Sequence, residues 1–265
     1  MEIQHCKICS AESKSLFRQT ILKKYEIEYF QCPSCGFTQT EPVYWLNEAY
    51  SSSMNMSDTG IVLRNSRFSR VASSILMLFF GKNHQYVDYA GGYGLFTRMM
   101  RDTGFNFFWT DPYTENILAK GFEMPKGKKY HLATSFESFE HFDKPEAELD
   151  KILEVSDNIL FSTEMISVPA PEKNKWWYYS PEHGQHIAFY TKKSLEILAD
   201  RKGLNYYNAD NIHLITRKKL GLPGQLIFAL PKAKYLLYAL SFIFTPFLKS
   251  KTLDDQQVLI KKEEK

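Results

Sequence analysis

The stretch from Tyr86 to Tyr113, YVDYAGGYGLFTRMMRDTGFNFFWTDPY, constrains the fold of this 265-residue chain more than any other. It begins with a short apolar strand, Tyr86–Ala90, and continues with a turn in which three of four positions are glycine. Leu95–Thr103 then has helical spacing, and Phe105–Thr110 predicts a second strand. This order predicts a βαβ unit whose turn comes close to a ligand, because glycine has no Cβ.

The residues around this turn distinguish between two kinds of nucleotide-binding unit. The dinucleotide fingerprint G-x-G-x-x-G would need glycines where the chain has Ala90 and Leu95. The chain has instead D-x-A-x-G-x-G, beginning at Asp88, and a second acid, Asp111, follows 19 positions after Gly92. A mononucleotide-binding unit places a carboxylate for the ribose hydroxyls at about this distance.

This pattern resembles motif I of the class I S-adenosylmethionine (SAM)-dependent methyltransferases, with alanine in place of the first glycine. The resemblance implies an α/β fold with a Rossmann-like sheet and helices on both faces, and SAM as the cofactor. It also implies that Asp88 supports the methionine end of SAM and that Asp111 binds the ribose. The alternative is an ordinary βαβ unit whose glycines only fit a tight connection. The predicted cofactor-binding residues are Asp88, Ala90, Gly91, Gly92, Gly94, Asp111, Pro112, Phe136 and Glu137.

Four cysteines near the amino terminus form two C-x-x-C pairs with 22 residues between them. Two-residue spacing lets each pair point both sulfurs at one ion, and Gly36 supplies the backbone freedom that such a turn needs. Four thiolates complete a tetrahedral zinc shell and leave no open position. The sequence therefore predicts a small zinc ribbon whose structural Zn²⁺ folds a segment too short to have its own core. The predicted ligands are Cys6, Cys9, Cys32 and Cys35.

Composition and charge limit the other possibilities. The chain is 44% apolar, and its net charge of +3 is too small to imply nucleic acid by itself. The amino-terminal residues are polar where a signal peptide would be apolar, which predicts a cytoplasmic protein whose thiols hold metal and do not form disulfides. Residues 1–40 contain five Lys or Arg against four Glu, so we expect no nucleic-acid partner for the ribbon.

Strands and helices alternate after Asp111, which predicts a parallel sheet with ligands at the carboxyl ends of its strands. The predicted elements are a helix at Asn116–Gly121, strands at Phe122–Met124, Tyr130–Phe139 and Asn158–Glu164, and a helix at Glu146–Val155. Four side chains fall at that edge of the sheet, and they are Phe136, Glu137, Glu140 and His141. The alternative is that the aromatic ring belongs to the core and that the acids are solvated.

The segment Lys175–Tyr190, KWWYYSPEHGQHIAFY, is dense in Trp, Tyr and His. Aromatic faces pack against sugar C–H surfaces, while His and Glu serve as acid–base groups near neutral pH. A turn at Gly184 would present His183 and His186 to one cavity. The alternative is a packed aromatic flap. The predicted catalytic residues are His183, His186 or Glu182 as base, with Tyr179 as helper.

Longer runs carry a more specific resemblance. TSFESFEHFDKP, NILFSTE and WWYYSPEHGQHIAFYTKKSLEILA resemble a bacterial subgroup of the Methyltransf_23 type, and CPSCGFTQTEP resembles the zinc-binding amino terminus of sugar C-methyltransferases. Together they cover residues 1–210 and imply O- or C-methylation of a sugar or glycan acceptor in bacterial surface polysaccharide or related biosynthesis. The alternatives are an RNA, small-molecule or lipid methyltransferase, and a non-catalytic assembly module.

The carboxy-terminal segment from Asn211 to Leu253 contains no Asp or Glu and seven Lys or Arg. Within it, Tyr235–Leu248 is predominantly apolar and is interrupted by Pro246, and it is shorter than the roughly 20 residues that cross a bilayer. Flanking lysines predict a peripheral contact with the inner face of an anionic membrane, and a lipid-linked glycan as acceptor. The alternative is a helix packed on the enzyme or on a second subunit.

The whole sequence thus predicts four segments. They are a zinc ribbon at 1–40, a linker and helical lead-in at 41–80, a methyltransferase core at 81–210, and a basic and apolar extension at 211–265. Within the second segment, Glu41–Asp58 is predicted to be a linker and Ile61–Phe80 a helix. Within the third, Thr191 is predicted to cap a helix over Lys192–Lys202.

Overall fold

The computed structural model describes residues 3–50 and 57–264, so part of the predicted linker, at 51–56, lies outside the described residues. The strands are β1 (Lys14–Ile21), β2 (Tyr25–Gln31), β3 (Thr38–Thr40), β4 (Gln85–Tyr89), β5 (Asn106–Thr110), β6 (Leu132–Ser135), β7 (Asn158–Ser162), β8 (Ala188–Phe189), β9 (Asn205–Ala209) and β10 (Ile212–Thr216). The helices are α1 (Leu46–Ala49), α2 (Ile61–Ile75), α3 (Leu95–Thr103), α4 (Pro145–Val155), α5 (Lys192–Arg201), α6 (Leu222–Ala229), α7 (Ala233–Phe244) and α8 (Thr252–Glu263).

The strands form two sheets. One is antiparallel, in the order β1-β2-β3-β8, and the other has six strands in the order β5-β4-β6-β7-β10-β9. Strand β4 pairs in parallel with both β5 and β6, whereas β9 and β10 form an antiparallel hairpin. The predicted α/β fold with a Rossmann-like sheet is therefore confirmed, and the sheet is mixed because of that hairpin. The next strand along the chain, β5, lies on one side of β4, and the following strand, β6, lies on the other side. The carboxyl end of β4 is therefore a topological switch point.

The chain divides into two compact units. One of them consists of residues 57–135, Ile152–Leu160 and the residues from Lys219 onward. In this unit α2 continues as a π-helical turn over Leu76–Phe80, so the predicted helix at Ile61–Phe80 is confirmed. The predicted helix at Leu95–Thr103 is also confirmed, and Gly104 ends it with φ of 119°.

The carboxy-terminal helices pack within this same unit. Helix α7 lies on α2, where the Ser74 hydroxyl donates to the Leu237 carbonyl at 2.6 Å and the Leu237 side chain is fully buried. Helix α8 is fixed to α3 by Arg101, whose guanidinium makes two bonds of 2.6 and 2.7 Å to the Asp255 carboxylate. Among the described residues no helix has the length and apolar character that a bilayer crossing requires.

The second unit consists of the described residues up to 50, Phe136–Lys151 and Phe161–Lys218. In it β3 pairs with β8, so the cysteine-bearing segment and the later segment share the antiparallel sheet. Trp45 is buried, and its indole N–H donates to the Gly184 carbonyl at 2.8 Å. Thr191 and Ser194 form a capping box at the start of α5, which confirms the predicted cap.

Two predicted elements differ from the structure. Asn116–Gly121 is a turn and not a helix, because its amides bond outside a helical ladder. The Ile117 and Leu118 amides donate to the Tyr93 carbonyl at 3.2 and 3.0 Å, and the Gly121 amide donates to the Glu123 carboxylate at 3.1 Å. The predicted strand at Tyr130–Phe139 is shorter, since it is β6, and its last residues begin a 3₁₀ turn at Phe139–His141. Phe122–Met124 makes a single parallel bridge, between Glu123 and Trp109.

Candidate functional site

The acid at the end of β4 is buried and hydrogen-bonded. The Asp88 carboxylate accepts from the Thr97 hydroxyl at 3.1 Å and from the Thr134 hydroxyl at 2.9 Å. Burial raises the pKa of Asp88 to about 7, and the negative charge of Asp111 adds to this, while the two hydroxyls act in the opposite direction. Thr97 and Thr134 fix this carboxylate in one orientation, and the sequence patterns did not identify either of them.

This raised pKa makes stability depend on pH. The folded state holds the Asp88 proton up to about pH 7, whereas an unfolded chain releases it near pH 4. The contribution of the Asp88 carboxyl group to the free energy of unfolding is therefore fully present below about pH 4 and is lost as the pH rises to about 7. We expect the free energy of unfolding of the wild type to fall across this range by a few kcal/mol more than that of an Asp88→Asn variant. Urea titrations at several pH values give the free energy of unfolding of both proteins. An equal change with pH in the two would contradict the raised pKa of Asp88.

The glycine turn has the backbone conformation that its sequence requires. Gly92 and Gly94 have φ of 52° and 87°, and Ala90 also lies in the left-handed region, with φ of 57°. A Cβ on Gly91 would lie 2.7 Å from the Asp88 carboxylate, and one on Gly94 would lie 2.7 Å from the Asn116 side chain. At Gly92 a Cβ would meet no atom of the described residues within 4 Å. The turn is thus tight on two sides and open at Gly92.

Asp111 closes this turn from the end of β5. One of its carboxylate oxygens accepts from the Gly92 amide at 2.9 Å, and the other accepts from the amides of Tyr113 and Thr114 at 2.8 Å each. A carboxylate has about four acceptor positions, so three backbone bonds leave it able to accept from a ligand hydroxyl. Pro112 follows it and is exposed. The residues at the carboxyl end of β4 therefore form an open cradle that suits a nucleoside.

The open side of the cradle gives a prediction with a matched control. Gly92 and Gly127 both have positive φ, and a Cβ at either position would meet no atom within 4 Å. Alanine at either position should lower stability by about 1 kcal/mol, because both backbones are left-handed. We expect only Gly92→Ala to weaken binding of S-adenosylhomocysteine, by about tenfold or more, because its methyl group would occupy ligand space. Equal affinities of the two variants would show that the ligand lies elsewhere.

Phe136 and Glu137, also predicted to bind the cofactor, belong to the unit that contains Phe136–Lys151 and Phe161–Lys218. Phe136 is half-buried. Glu137 has φ of 53°, its amide donates to the Ser162 hydroxyl at 2.9 Å, and its carboxylate accepts from the same hydroxyl at 2.5 Å. These bonds fix the Glu137 side chain. The role predicted for both residues in cofactor binding stays a prediction.

The predicted catalytic residues lie in three different environments. His183 has its Nε2 3.8 Å from the Glu182 carboxylate. The Tyr179 hydroxyl donates to the Pro171 carbonyl at 2.8 Å, and its ring is buried against the aromatic rings of the antiparallel sheet. His186 lies beside His141, with ring centroids 5.0 Å apart. The predicted presentation of His183 and His186 to one cavity stays a prediction.

Glu140 is the most deeply buried acid near His186. Burial raises its pKa to about 8, the charge of Glu137 adds to the effect, and the hydroxyls of Tyr178 and Thr163 oppose it. Neither oxygen of the Glu140 carboxylate has a partner with the geometry of a hydrogen bond. Glu140 and His141 were predicted at the sheet edge and were not among the predicted catalytic residues.

The four cysteines converge as their spacing predicts. Their sulfurs all lie within 4.8 Å of one another, with Cys6 and Cys35 at 3.5 Å and Cys9 and Cys32 at 3.4 Å. A tetrahedral zinc ion with Zn–S bonds of about 2.3 Å has sulfurs roughly 3.8 Å apart, so the four donors fit such an ion. The hydrogen bond from Cys35 lowers the pKa of Cys6 to about 5, which favours a thiolate at neutral pH.

Comparison with known proteins gives one family. Residues 63–209 match the methyltransferase domain Methyltransf_23. A search of curated proteins gives no match.

Several solved structures are similar to the chain. Magnesium protoporphyrin IX methyltransferase from Synechocystis PCC 6803 with bound SAH is 11% identical, with 65% of this chain and 93% of that chain covered and a TM-score of 0.45. The plantazolicin methyltransferase BpumL in complex with SAH is 12% identical, with 65% and 93% covered and a TM-score of 0.44. Mitomycin 7-O-methyltransferase is 12% identical, with 65% and 60% covered and a TM-score of 0.45. These scores are too low to carry an argument about activity.

Proposed function

Because the chain belongs to the Methyltransf_23 family of methyltransferase domains, with more than half of its length matched, we propose that it methylates a sugar or glycan acceptor with SAM. The observation that carries the cofactor assignment is the cradle at the carboxyl end of β4, with its open position at Gly92. The acceptor assignment rests on the resemblance to sugar methyltransferases and on the aromatic segment around Trp177. The methylated atom is an oxygen or a carbon.

Residues of the cradle account for cofactor binding in this proposal. The backbone around Gly92 comes close to the nucleoside, and Asp111 accepts a hydrogen bond from a ribose hydroxyl. Asp88, with its two threonine hydroxyls, supports the methionine end. Bound SAM supplies a methyl group that its sulfonium has already activated. The protein then has to orient the acceptor and accept its proton.

Trp177 is the side chain that best suits a sugar. It lies in the 3₁₀ turn Trp177–Tyr179, its neighbour Tyr178 is buried, and 72% of its own surface is exposed. A rigid exposed indole offers a flat apolar face against which sugar C–H groups pack. This supports a saccharide acceptor.

His183 is the residue that we assign to accept the acceptor proton. It is half-buried, and its Nε2 lies 3.8 Å from the Glu182 carboxylate. We expect His183→Ala to lower the turnover number by about 100-fold or more, with the affinity for S-adenosylhomocysteine unchanged within twofold. His84→Ala, which removes an exposed histidine of the other unit, is the control and should change neither value. Unchanged turnover in His183→Ala would move the role to His186 or Glu182.

The four-cysteine cluster binds a structural Zn²⁺ in this proposal. The spacing of the two pairs and the distances between their sulfurs support it. Four thiolates leave no position for substrate, so the ion stabilises the fold and takes no part in the reaction.

The carboxy-terminal helices support a peripheral membrane contact and a lipid-linked acceptor. One face of α7 packs on α2, whereas large apolar side chains remain exposed beside the basic residues Lys232 and Lys234. These side chains are Leu222, Leu226, Leu230, Tyr235, Phe242, Ile243 and Phe247. Flotation with anionic liposomes tests this contact. Recovery of the full chain only in the liposome-free fraction would contradict it.

A transfer assay tests the acceptor class. Zinc-loaded protein is incubated with methyl-labelled SAM and with nucleotide-linked sugars, lipid-linked sugars, RNA or small phenols. We expect label only in the sugar-containing reactions, and less of it in a Trp177→Ala variant. Label in RNA or phenols, with none in sugars, would contradict the proposed acceptor and leave the methyltransferase assignment intact.

A further inference from the structure

Two histidines and a glutamate form a second group of metal-binding side chains, within one unit and apart from the cysteines. Glu140, His141 and His186 each offer one donor atom, and the three atoms lie within 4.8 Å of one another. The Nε2 of His141 is 4.0 Å from the Glu140 carboxylate. Glu140 and His141 follow β6, whereas His186 precedes β8, so the fold brings together residues that are 45 positions apart in the chain.

The carboxylate of this group makes no hydrogen bond within the part of the chain that the structure describes. Glu140 is completely buried, and neither of its oxygens makes a hydrogen bond with any described residue. Burying a charged carboxylate costs free energy unless the group is paired, hydrogen-bonded or bound to a metal ion. The backbone carbonyl of Glu140, in contrast, accepts a hydrogen bond from the Ile187 amide at 2.9 Å. The hydrogen-bonding capacity that is not used is therefore that of the Glu140 side chain.

The two imidazole rings are held as metal ligands usually are. The Nδ1 of His186 lies 2.7 Å from the Tyr178 carbonyl oxygen, which can only accept, so Nδ1 carries the proton and Nε2 is the basic nitrogen. The Nδ1 of His141 bonds to the Tyr50 hydroxyl at 2.9 Å, and its Nε2 faces Glu140. Metal-bound histidines use their second nitrogen in this way, which fixes the ring and its tautomer.

We propose that Glu140, His141 and His186 bind a divalent first-row transition metal ion. Two nitrogen donors and one oxygen donor favour Zn²⁺, Co²⁺ or Fe²⁺ over Mg²⁺ and Ca²⁺, which prefer oxygen. With metal–ligand bonds of about 2.1 Å, neighbouring donors lie roughly 3.0–3.4 Å apart, so binding draws the side chains together by about 1 Å.

Three protein ligands also leave coordination positions for water or for an oxygen of another molecule. The His141 side chain is 21% exposed, which gives an ion a path to the site. This metal site does not depend on the proposed acceptor, and its test does not use methyl transfer. It differs from the four-cysteine cluster, whose shell is closed by thiolates.

Metal content of the full chain tests the proposal. Protein saturated with Zn²⁺ and freed of unbound ion should contain two zinc ions per chain. Glu140→Gln, which keeps the side-chain volume, and His141→Gln, on a partly exposed side chain, should each contain one. His183→Ala is the matched control, because it removes the other histidine of the same segment and should keep two.

Cobalt substitution identifies which site is lost. Thiolate-to-cobalt charge-transfer absorption reports the cysteine cluster and should be the same in all four proteins. The weaker ligand-field bands of a nitrogen and oxygen site should be present only in the wild type and His183→Ala. Thermal unfolding in chelator checks that Glu140→Gln folds, and we expect no loss of stability there, since the variant removes an unpaired buried carboxylate.

One zinc per chain in the wild type, with the thiolate absorption intact, would overturn the proposal. Two zinc ions in both Glu140→Gln and His141→Gln would also overturn it. If a variant does not fold, the wild type still decides, because only a second site raises its zinc content and its melting temperature beyond the values reached with one equivalent.

Discussion

A Cys35→Ser variant should lose the zinc ion of the four-cysteine cluster and melt about 5–10 °C below the wild type. Cys35 is buried, and its sulfur lies 3.5 Å from that of Cys6. Serine is a much weaker zinc ligand than a thiolate, and structural zinc contributes its binding energy to folding. A loss of about 3–5 kcal/mol corresponds to a shift of this size for a chain of this length.

Ser34→Ala is the control for this variant, because it changes the exposed neighbour in the same turn and leaves the four sulfurs in place. It should keep full zinc and a melting temperature near that of the wild type. Mass spectrometry of the native protein and thermal unfolding give both values. Zinc retained at the wild-type level in Cys35→Ser would show that the cysteines do not hold it.

An Asp111→Ala variant should bind S-adenosylhomocysteine about 100-fold more weakly than the wild type. Loss of a charged hydrogen bond to a ribose hydroxyl removes up to roughly 3 kcal/mol of binding energy, which is about a factor of 100. The variant should also be less stable, because Asp111 accepts from the Gly92, Tyr113 and Thr114 amides.

Two further variants separate binding from folding at this position. Asp111→Asn keeps one acceptor oxygen for the turn and should recover part of the stability while binding stays weak. Glu115→Ala removes an exposed carboxylate four residues later, whose ion pair with Lys120 is 3.4 Å long, and it should bind like the wild type. If Asp111→Ala binds as tightly as Glu115→Ala does, Asp111 does not contact the cofactor.

The parts of the fold that local chemistry determines were predicted well. The glycine turn and Gly104 fix both ends of α3, so its predicted bounds agree with the structure. Two-residue cysteine spacing likewise predicts the convergence of the four sulfurs. Thr191 was identified as a cap because its side chain bonds the backbone three residues later. In each case the determining contact lies within a few residues.

The parts that depend on distant contacts were predicted poorly. Asn116–Gly121 was placed in a helix because its spacing does not show that the Ile117 and Leu118 amides donate to the Tyr93 carbonyl, more than 20 positions earlier. Thr97 and Thr134 orient Asp88 from α3 and β6, and only the sheet brings them together. Glu140 was seen at the sheet edge, but its proximity to His186 arises from contacts across 46 positions of chain.

The most direct test of the central claim is a calorimetric titration of zinc-loaded wild-type protein with S-adenosylhomocysteine. We expect one binding site per chain with a micromolar dissociation constant, and competition by SAM. Absence of binding by protein that is folded and fully loaded with zinc would contradict the assignment of the turn after β4 as the cofactor site.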